Sequence, residues 1–244
     1  MYYYKLTLAY DGTAYHGFQR QKNAPSIQAV LEKALSCLFR EDIQLQAAGR
    51  TDAGVHALGQ VISFASTKYI AAEKVPLALK SFVPNNIVVW QGELVEEGFH
   101  ARYGTKGKTY VYKLRLAPYP DPCQRNYTWQ LKDRLDIKAM QSAANYILGT
   151  HDFTSFRNQG TAIKSSVRTI EIAHWEQQDE LLLFTVTGDG FLYRMVRNLV
   201  GAMVKVGRGK ITPEEFKALL ENKNRAQVGM SAPAQGLYLK EVFY

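Results

Sequence analysis

SIQAVLEKALSCL, residues 26–38, sets Ile27, Val30, Leu31, Ala34, Leu35 and Leu38 at helical spacing behind a serine suited to cap the first turn. A helix of about three and a half turns is expected. What flanks it decides the fold. Upstream, residues 2–10 are rich in the β-favouring Tyr, Leu and Thr and stop at Asp11-Gly12, a turn pair. Downstream the pattern predicts a short strand through Ile43–Leu45, a small-residue loop, a strand over Gly59–Ala65, a helix near Glu73–Ser81 and a strand over Ile87–Leu94. Strand, helix, strand, strand, helix, strand is the split β-α-β order of ferredoxin-like and RNA-recognition folds.

Around residues 95–107 the stretch EEGFHARYGTKGK (96–108) mixes charge with glycine as a crossing between two units does. Residues 1–100 then form an N-terminal α/β unit and residues 101–244 a second, basic one. The second opens with the strand KTYVYKLRL and continues through a helix near Asp136–Leu148. A hairpin follows, Thr169–Glu176 and Leu181–Thr187, joined by QQDE, then helices at 191–207 and 213–221 and a last strand, GLYLKEVFY. The expected class is α+β, two ferredoxin-like units with mostly antiparallel sheets.

The 244 residues suffice for one large domain or two small ones, and 46% hydrophobic with 21% charged residues is a globular composition. The first residues read as a strand rather than a targeting segment, and no apolar run approaches bilayer length, so a cytoplasmic protein is expected. Cys37 and Cys123 lack the spacing and company of a metal or disulfide site and read as reduced structural thiols. His16, His56, His100, His151 and His174 show no ligand spacing, and no metal is implied. There is neither a phosphate loop nor a dinucleotide fingerprint. Residues 1–100 hold nine Lys/Arg against nine Asp/Glu, so the whole net charge of +8 lies in residues 101–244. Such a footprint fits a polyanion binder, though many proteins that bind no nucleic acid share it.

Three places can carry chemistry. AAGRTDAGVHALGQ, residues 47–60, holds one carboxylate, Asp52, among small residues, with Arg50 and His56 near it in sequence. Alone, Asp52 reads as an Asx-turn residue or a cap. Beside an arginine it stays ionised and can serve as nucleophile or charge stabiliser. In FLYRMVRNLVGAMVKVG, residues 191–207, Arg194, Asn198, Gly201 and Lys205 trace a narrow polar stripe that Arg208 extends, and Arg197 stands next to it. Arg197 is either a snorkelling side chain or a partly buried cation that needs a carboxylate, for which Asp52 is the candidate. Tyr110 and Tyr112 alternate with Val111 and Lys113 on a basic strand, as core residues do and as a base-stacking platform does.

Together these stretches resemble the bacterial tRNA pseudouridine synthase A family, which modifies uridines in the anticodon arm. The resemblance runs through YDGTAYHGFQRQ (10–21), AGRTDAGVHA (48–57), FHARYGTKGKTYVY (99–112), DFTSF (152–156), FLYRMVRNLVG (191–201) and APAQGLYL (232–239). RNQG at 157–160 departs from the pattern locally. The resemblance implies a pseudouridine synthase fold, Asp52 as the catalytic aspartate, Arg197 as its paired arginine and Tyr110 as the ring that stacks on the target uracil. It places Leu237 near the base and Arg50 and Arg20 beside the RNA; His56, by its closeness to Asp52 in sequence, is a further candidate for a ligand contact. It further implies a homodimer acting on tRNA without metal, cofactor or membrane. A non-catalytic RNA-binding module and a hydrolytic glycosidase are the competing readings.

Overall fold

The computed structural model describes residues 1–160 and 164–244. It divides into two compact units, Met1–Lys106 with Tyr238–Tyr244, and Gly107–Leu237.

In the first unit, β1 (Tyr2–Tyr10) lies between β3 (His56–Ser66) and β4 (Ile87–Val95), antiparallel to both. β2 (Gln46–Ala47) runs antiparallel on the far side of β3, opposite Ser63 and Ile62. The order β4-β1-β3-β2 is that of a ferredoxin-like sheet. Helix α1 (Ile27–Phe39) is capped by Ser26, whose side chain accepts from Ala29 N, and it ends where Arg40 turns left-handed at φ 53°. Its apolar face, Ile27, Leu31, Ala34, Leu35 and Phe39, is buried. Phe39 meets the rings of Tyr4 and Phe64 at 5.2 and 5.3 Å, so α1, β1 and β3 share one core. Burying Leu31 and Leu35 completely stabilises this layer by about 1.5–3 kcal/mol each.

Several boundaries differ from the sequence pattern for local reasons. Ile43 and Leu45 are buried but lie outside the ladder, because their amides donate to Ser36 Oγ and Glu32 Oε1 of α1. Pairing therefore starts at Gln46. The second helix begins as a 3-10 turn, Ala72–Lys74, and becomes α2 only over Val75–Leu79, with Pro76 in its first turn. β3 starts at His56 rather than Gly59, and a Cβ on Gly59 would fall 2.5 Å from Lys240 O, a close backbone approach that only glycine permits.

That approach comes from β10 (Leu237–Phe243), which pairs in parallel with β3 through Tyr238 with His56 and Leu239 with Ala57. The expected division at residue 100, with the last strand completing the second unit, therefore differs from the structure. Residues 101–106 and 238–244 belong with the first unit, and side chains explain why. Ala48, Val61 and Ala101 form a buried cluster capped by Phe99, Val242 and Tyr244. Tyr244 Oη donates to Ala101 O over 2.7 Å, and Lys106 N donates to Phe243 O.

In the second unit, β5 (Gly107–Leu116), β9 (Leu181–Gly188), β8 (Val167–Gln178) and β7 (Gly149–Asp152) form an antiparallel sheet in that order, with β6 (Trp129–Leu131) parallel to the end of β5. The hairpin between β8 and β9 turns at Asp179, φ 53°. Helices α3 (Ile137–Asn145), α4 (Met195–Gly207), α5 (Pro213–Glu221) and α6 (Arg225–Val228) follow the caps Asp136, Arg194, Thr212 and Asn224. Thr212 and Glu215 form a reciprocal capping box. α4 starts four residues later than expected because Arg194 is left-handed at φ 60°, which no helical turn accommodates. Phe153, Phe156, Phe184, Met195, Leu199, Met203 and Phe216 are fully buried and make its core. Cys37 and Cys123 are both free thiols on the surface. No helix among the described residues is long and apolar enough to cross a membrane.

Candidate active site

Asp52 is half-buried at the tip of the loop joining β2 and β3. The loop is held at four points by groups of its own unit. Gln60, fully buried on β3, donates from Nε2 to Gly49 O over 2.8 Å and accepts from Gly49 N at 3.4 Å, so one amide closes the base of the loop. Tyr10 Oη and Thr51 Oγ1 share a buried hydrogen bond of 2.7 Å. Thr51 O accepts from Phe18 N at 3.0 Å, and Gly54 N donates to Tyr15 O at 3.3 Å. Burial pushes the Tyr10 phenol up to about 12, so it stays a neutral hydrogen-bonding group through the physiological range.

The 10–18 segment can press this closely only because two of its residues have no side chain. A Cβ on Gly12 would lie 2.0 Å from Val55 O, and one on Gly17, at φ 98°, would lie 2.8 Å from Thr51 O. YDGTAYHGF and AGRTDAGVH are therefore two halves of one local structure.

His56 is buried, accepts from Gly12 N at Nδ1 over 3.1 Å, and stacks on Tyr238 with ring centroids 4.7 Å apart. These contacts are structural in kind. Arg50 is exposed. Arg20 is largely exposed, with its guanidinium on Glu32 and its backbone amide on Gln28 Oε1 at 3.1 Å. With Gln21, Lys22 and Ala29 it lines an open concavity of about 540 Å³.

The second unit carries Tyr110, Arg197 and Leu237. Tyr110 on β5 is 8% exposed and meets Phe191 edge-on at 5.0 Å. Tyr112, two residues along, is fully buried, donates to Pro233 O at 2.8 Å and presses on Gly236. Burial raises its phenol far above the ordinary value, while Arg197 nearby acts in the opposite direction. Tyr112 is thus a core residue. Leu237, 7% exposed, follows the 3-10 turn Ala234–Gly236. Arg197 is half-buried on α4, and its Nε donates to Ala232 O over 2.7 Å. That buried acceptor sets it apart from an arginine whose head simply reaches water.

The sequence reading missed Gln60 and Tyr10, which grip the Asp52 loop, and Ala232, which holds Arg197. A glutamine within the mostly apolar stretch LGQVISFA, residues 58–65, was the available signal for the first.

A family model described as tRNA pseudouridine synthase matches residues 7–104 and 143–244. The chain is 45% identical over 240 residues to tRNA pseudouridine synthase A of Acetivibrio thermocellus, covering 98% of both chains. It is 43% identical over 242 residues to tRNA pseudouridine synthase A 2 of Clostridium tetani and 42% identical over 242 residues to tRNA pseudouridine synthase A of Bacillus subtilis, again covering 98% of each chain. The chain belongs to the tRNA pseudouridine synthase family.

Proposed function

We propose that this protein isomerises uridine to pseudouridine in the anticodon stem-loop of tRNAs. The N1–C1′ bond of the target breaks, the uracil turns while still held, and a C5–C1′ bond replaces it. The hydrogen on C5 leaves to water and N1 takes one up, so the RNA keeps its mass. Asp52 serves as nucleophile or base, Arg197 pairs with it and keeps it ionised, and Tyr110 stacks on the uracil. Leu237 packs beside the base, Arg50 and Arg20 face the backbone, and His56 acts through the loop it braces. The target nucleotide leaves its helical arm at a cost of a few kcal/mol, offset by stacking and by phosphate contacts. A homodimer suits a folded RNA arm larger than either unit.

The observation that carries this reading is the Asp52 loop: a single half-buried carboxylate on backbone tied at Gly49, Thr51 and Gly54. Rigid placement of one anion is what attack on, or proton removal from, a nucleotide held close to it requires. The test uses tRNA tritiated at uracil C5. The wild type should release tritium to water without freeing uracil, and Asp52→Ala should bind tRNA and release none. Free uracil would identify a glycosidase, binding without release an RNA-binding module, and undiminished release by Asp52→Ala would remove Asp52 from the chemistry.

A further inference from the structure

At Asn198, Gly201 and Lys205 the polar stripe of α4 faces protein rather than solvent. The 225–233 segment of the same unit lies along it, and a Cβ on Gly201 would fall 2.4 Å from Met230 O. Lys205 Nζ donates to Val228 O at 2.7 Å. Asn198, fully buried, is the centre: its Nδ2 donates to Phe156 O and Asn158 Oδ1, at 2.7 and 2.9 Å, and its Oδ1 accepts from Ser231 Oγ and from Arg225 Nη2, the latter at 3.0 Å. Arg225 further donates from Nε to Asn158 Oδ1 at 3.0 Å and from Nη1 to Gly229 O at 2.7 Å. These acceptors are neutral amides and carbonyls, so the guanidinium acts here as a rigid fork rather than as half of an ion pair.

The next residue on each strand of this clamp is the one that matters for the site. Asn198 adjoins Arg197 and Ser231 adjoins Ala232, and these two form a reciprocal pair: Arg197 Nε donates to Ala232 O at 2.7 Å, and Ala232 N donates to Arg197 O at 2.9 Å. We infer that Arg225, Asn198 and Ser231 are positioning residues that fix the Ala232 carbonyl and through it the direction of the Arg197 guanidinium. The inference rests on the role proposed for Arg197. Nε is the single N–H at the stem of the fork, between Cδ and Cζ and coplanar with both terminal nitrogens, so an acceptor held there fixes the plane in which those nitrogens point. If the 231–233 backbone drifts, that plane drifts with it, and small misplacements at a reacting centre are costly in rate.

Single-turnover conversion of tRNA, tRNA affinity and thermal midpoint should be measured for Arg225→Ala, Arg225→Lys, Ser231→Ala and Arg197→Ala, and for Arg197→Ala combined with Arg225→Ala. Positioning predicts that Arg225→Ala lowers the single-turnover rate of the folded enzyme about 10- to 100-fold, with affinity changed less than about threefold. Ser231→Ala should lower the rate in the same sense by less, and Arg225→Lys should recover only part, since an ammonium cannot span three acceptors in one plane. Added to Arg197→Ala, Arg225→Ala should cost almost nothing further in rate, because the group it positions is gone. Ser231→Ala removes one hydroxyl and keeps the test available should Arg225→Ala not fold. If Arg197→Ala is impaired while Arg225→Ala and Ser231→Ala lose only thermal stability, the positioning role is wrong and the role of Arg197 stands. If Arg197→Ala keeps the full rate, both fall.

Discussion

Gly12 and His56 are joined by a hydrogen bond of 3.1 Å, from the backbone amide of the first to Nδ1 of the second. Asp11 Oδ1 also lies 3.2 Å from that nitrogen, but a single lone pair cannot accept from Gly12 and at the same time carry a proton for Asp11. The amide geometry assigns Nδ1 as the acceptor, with the ring proton on Nε2. Asp11 Oδ1 is engaged in its own turn by the amide and hydroxyl of Thr13. A histidine that its closeness to Asp52 in sequence offered as a ligand contact thus braces the Asp52 loop from one end, while Gln60 closes the other.

Gly12→Ala should displace the loop. The added methyl meets backbone at 2.0 Å, where no side-chain rotation can relieve it, and the overpacking should cost about 1–3 kcal/mol. A lowered thermal midpoint together with lost tritium release is expected. Full activity at an unchanged midpoint would show that the 10–18 segment does not set the position of Asp52.

Gln60→Leu keeps the volume of the buried side chain but leaves both polar groups of Gly49 without their partner. The cost should be about 1–3 kcal/mol, read as a lower urea midpoint at unchanged slope. Faster amide exchange across residues 49–54, beyond the global change, would locate the effect in the loop.

Alkaline pH should expose Tyr10. Its folded phenol sits at about 12 against 10.0 for the free group, so below pH 10 both folded and unfolded chains keep the proton and stability is flat. Between 10 and 12 the unfolded chain ionises first, and folding loses roughly 1.4 kcal/mol per pH unit from this residue. The difference between wild type and Tyr10→Phe should be constant up to pH 10 and then shrink. A constant difference to pH 12 would mean the phenol titrates alike in both states.

Tyr110 and Tyr112 should separate by assay. Tyr110→Phe should bind tRNA nearly as the wild type does, and Tyr110→Ala should lose about 1–3 kcal/mol of binding. Tyr112→Phe, deprived of its bond to Pro233 O, should lose stability by about 0.5–1.5 kcal/mol with tRNA affinity intact. Equal affinity of wild type and Tyr110→Ala would return that ring to the core.

Arg20 offers a salt test. If it meets a phosphate, Arg20→Ala should weaken tRNA binding and reduce the slope of log affinity against log salt by about one. An unchanged slope would leave the contact with Glu32 as its whole role.

Much of this was legible in local pattern. The Ser26 cap, the buried face of α1, the β-hairpin and the helix after Thr212 follow from spacing and capping chemistry, which act between residues a few positions apart. Where one strand alone decides a boundary, as at Ile43–Leu45, pattern failed because side chains on α1 took the backbone amides that a ladder needs. Asp52, Tyr110 and Arg197 stood out by residue type and motif, whereas Gln60, Tyr10 and the Arg225 clamp did not.

Periodicity and composition alone were enough for two α+β units with antiparallel sheets, since each element's apolar face is written in its own residues. The ownership of the last strand was not, because β10 carries the same alternation whichever edge it joins. Only the fit of Tyr238 on His56, the absence of a Cβ at Gly59 and the anchoring of Tyr244 on Ala101 O put it beside β3. The same holds for the polar stripe of α4, which a helical wheel assigns to water. Its centre at Asn198 and Gly201 is buried because a segment about thirty residues downstream brings matching donors and acceptors to it, and such pairing exists only once the chain has folded.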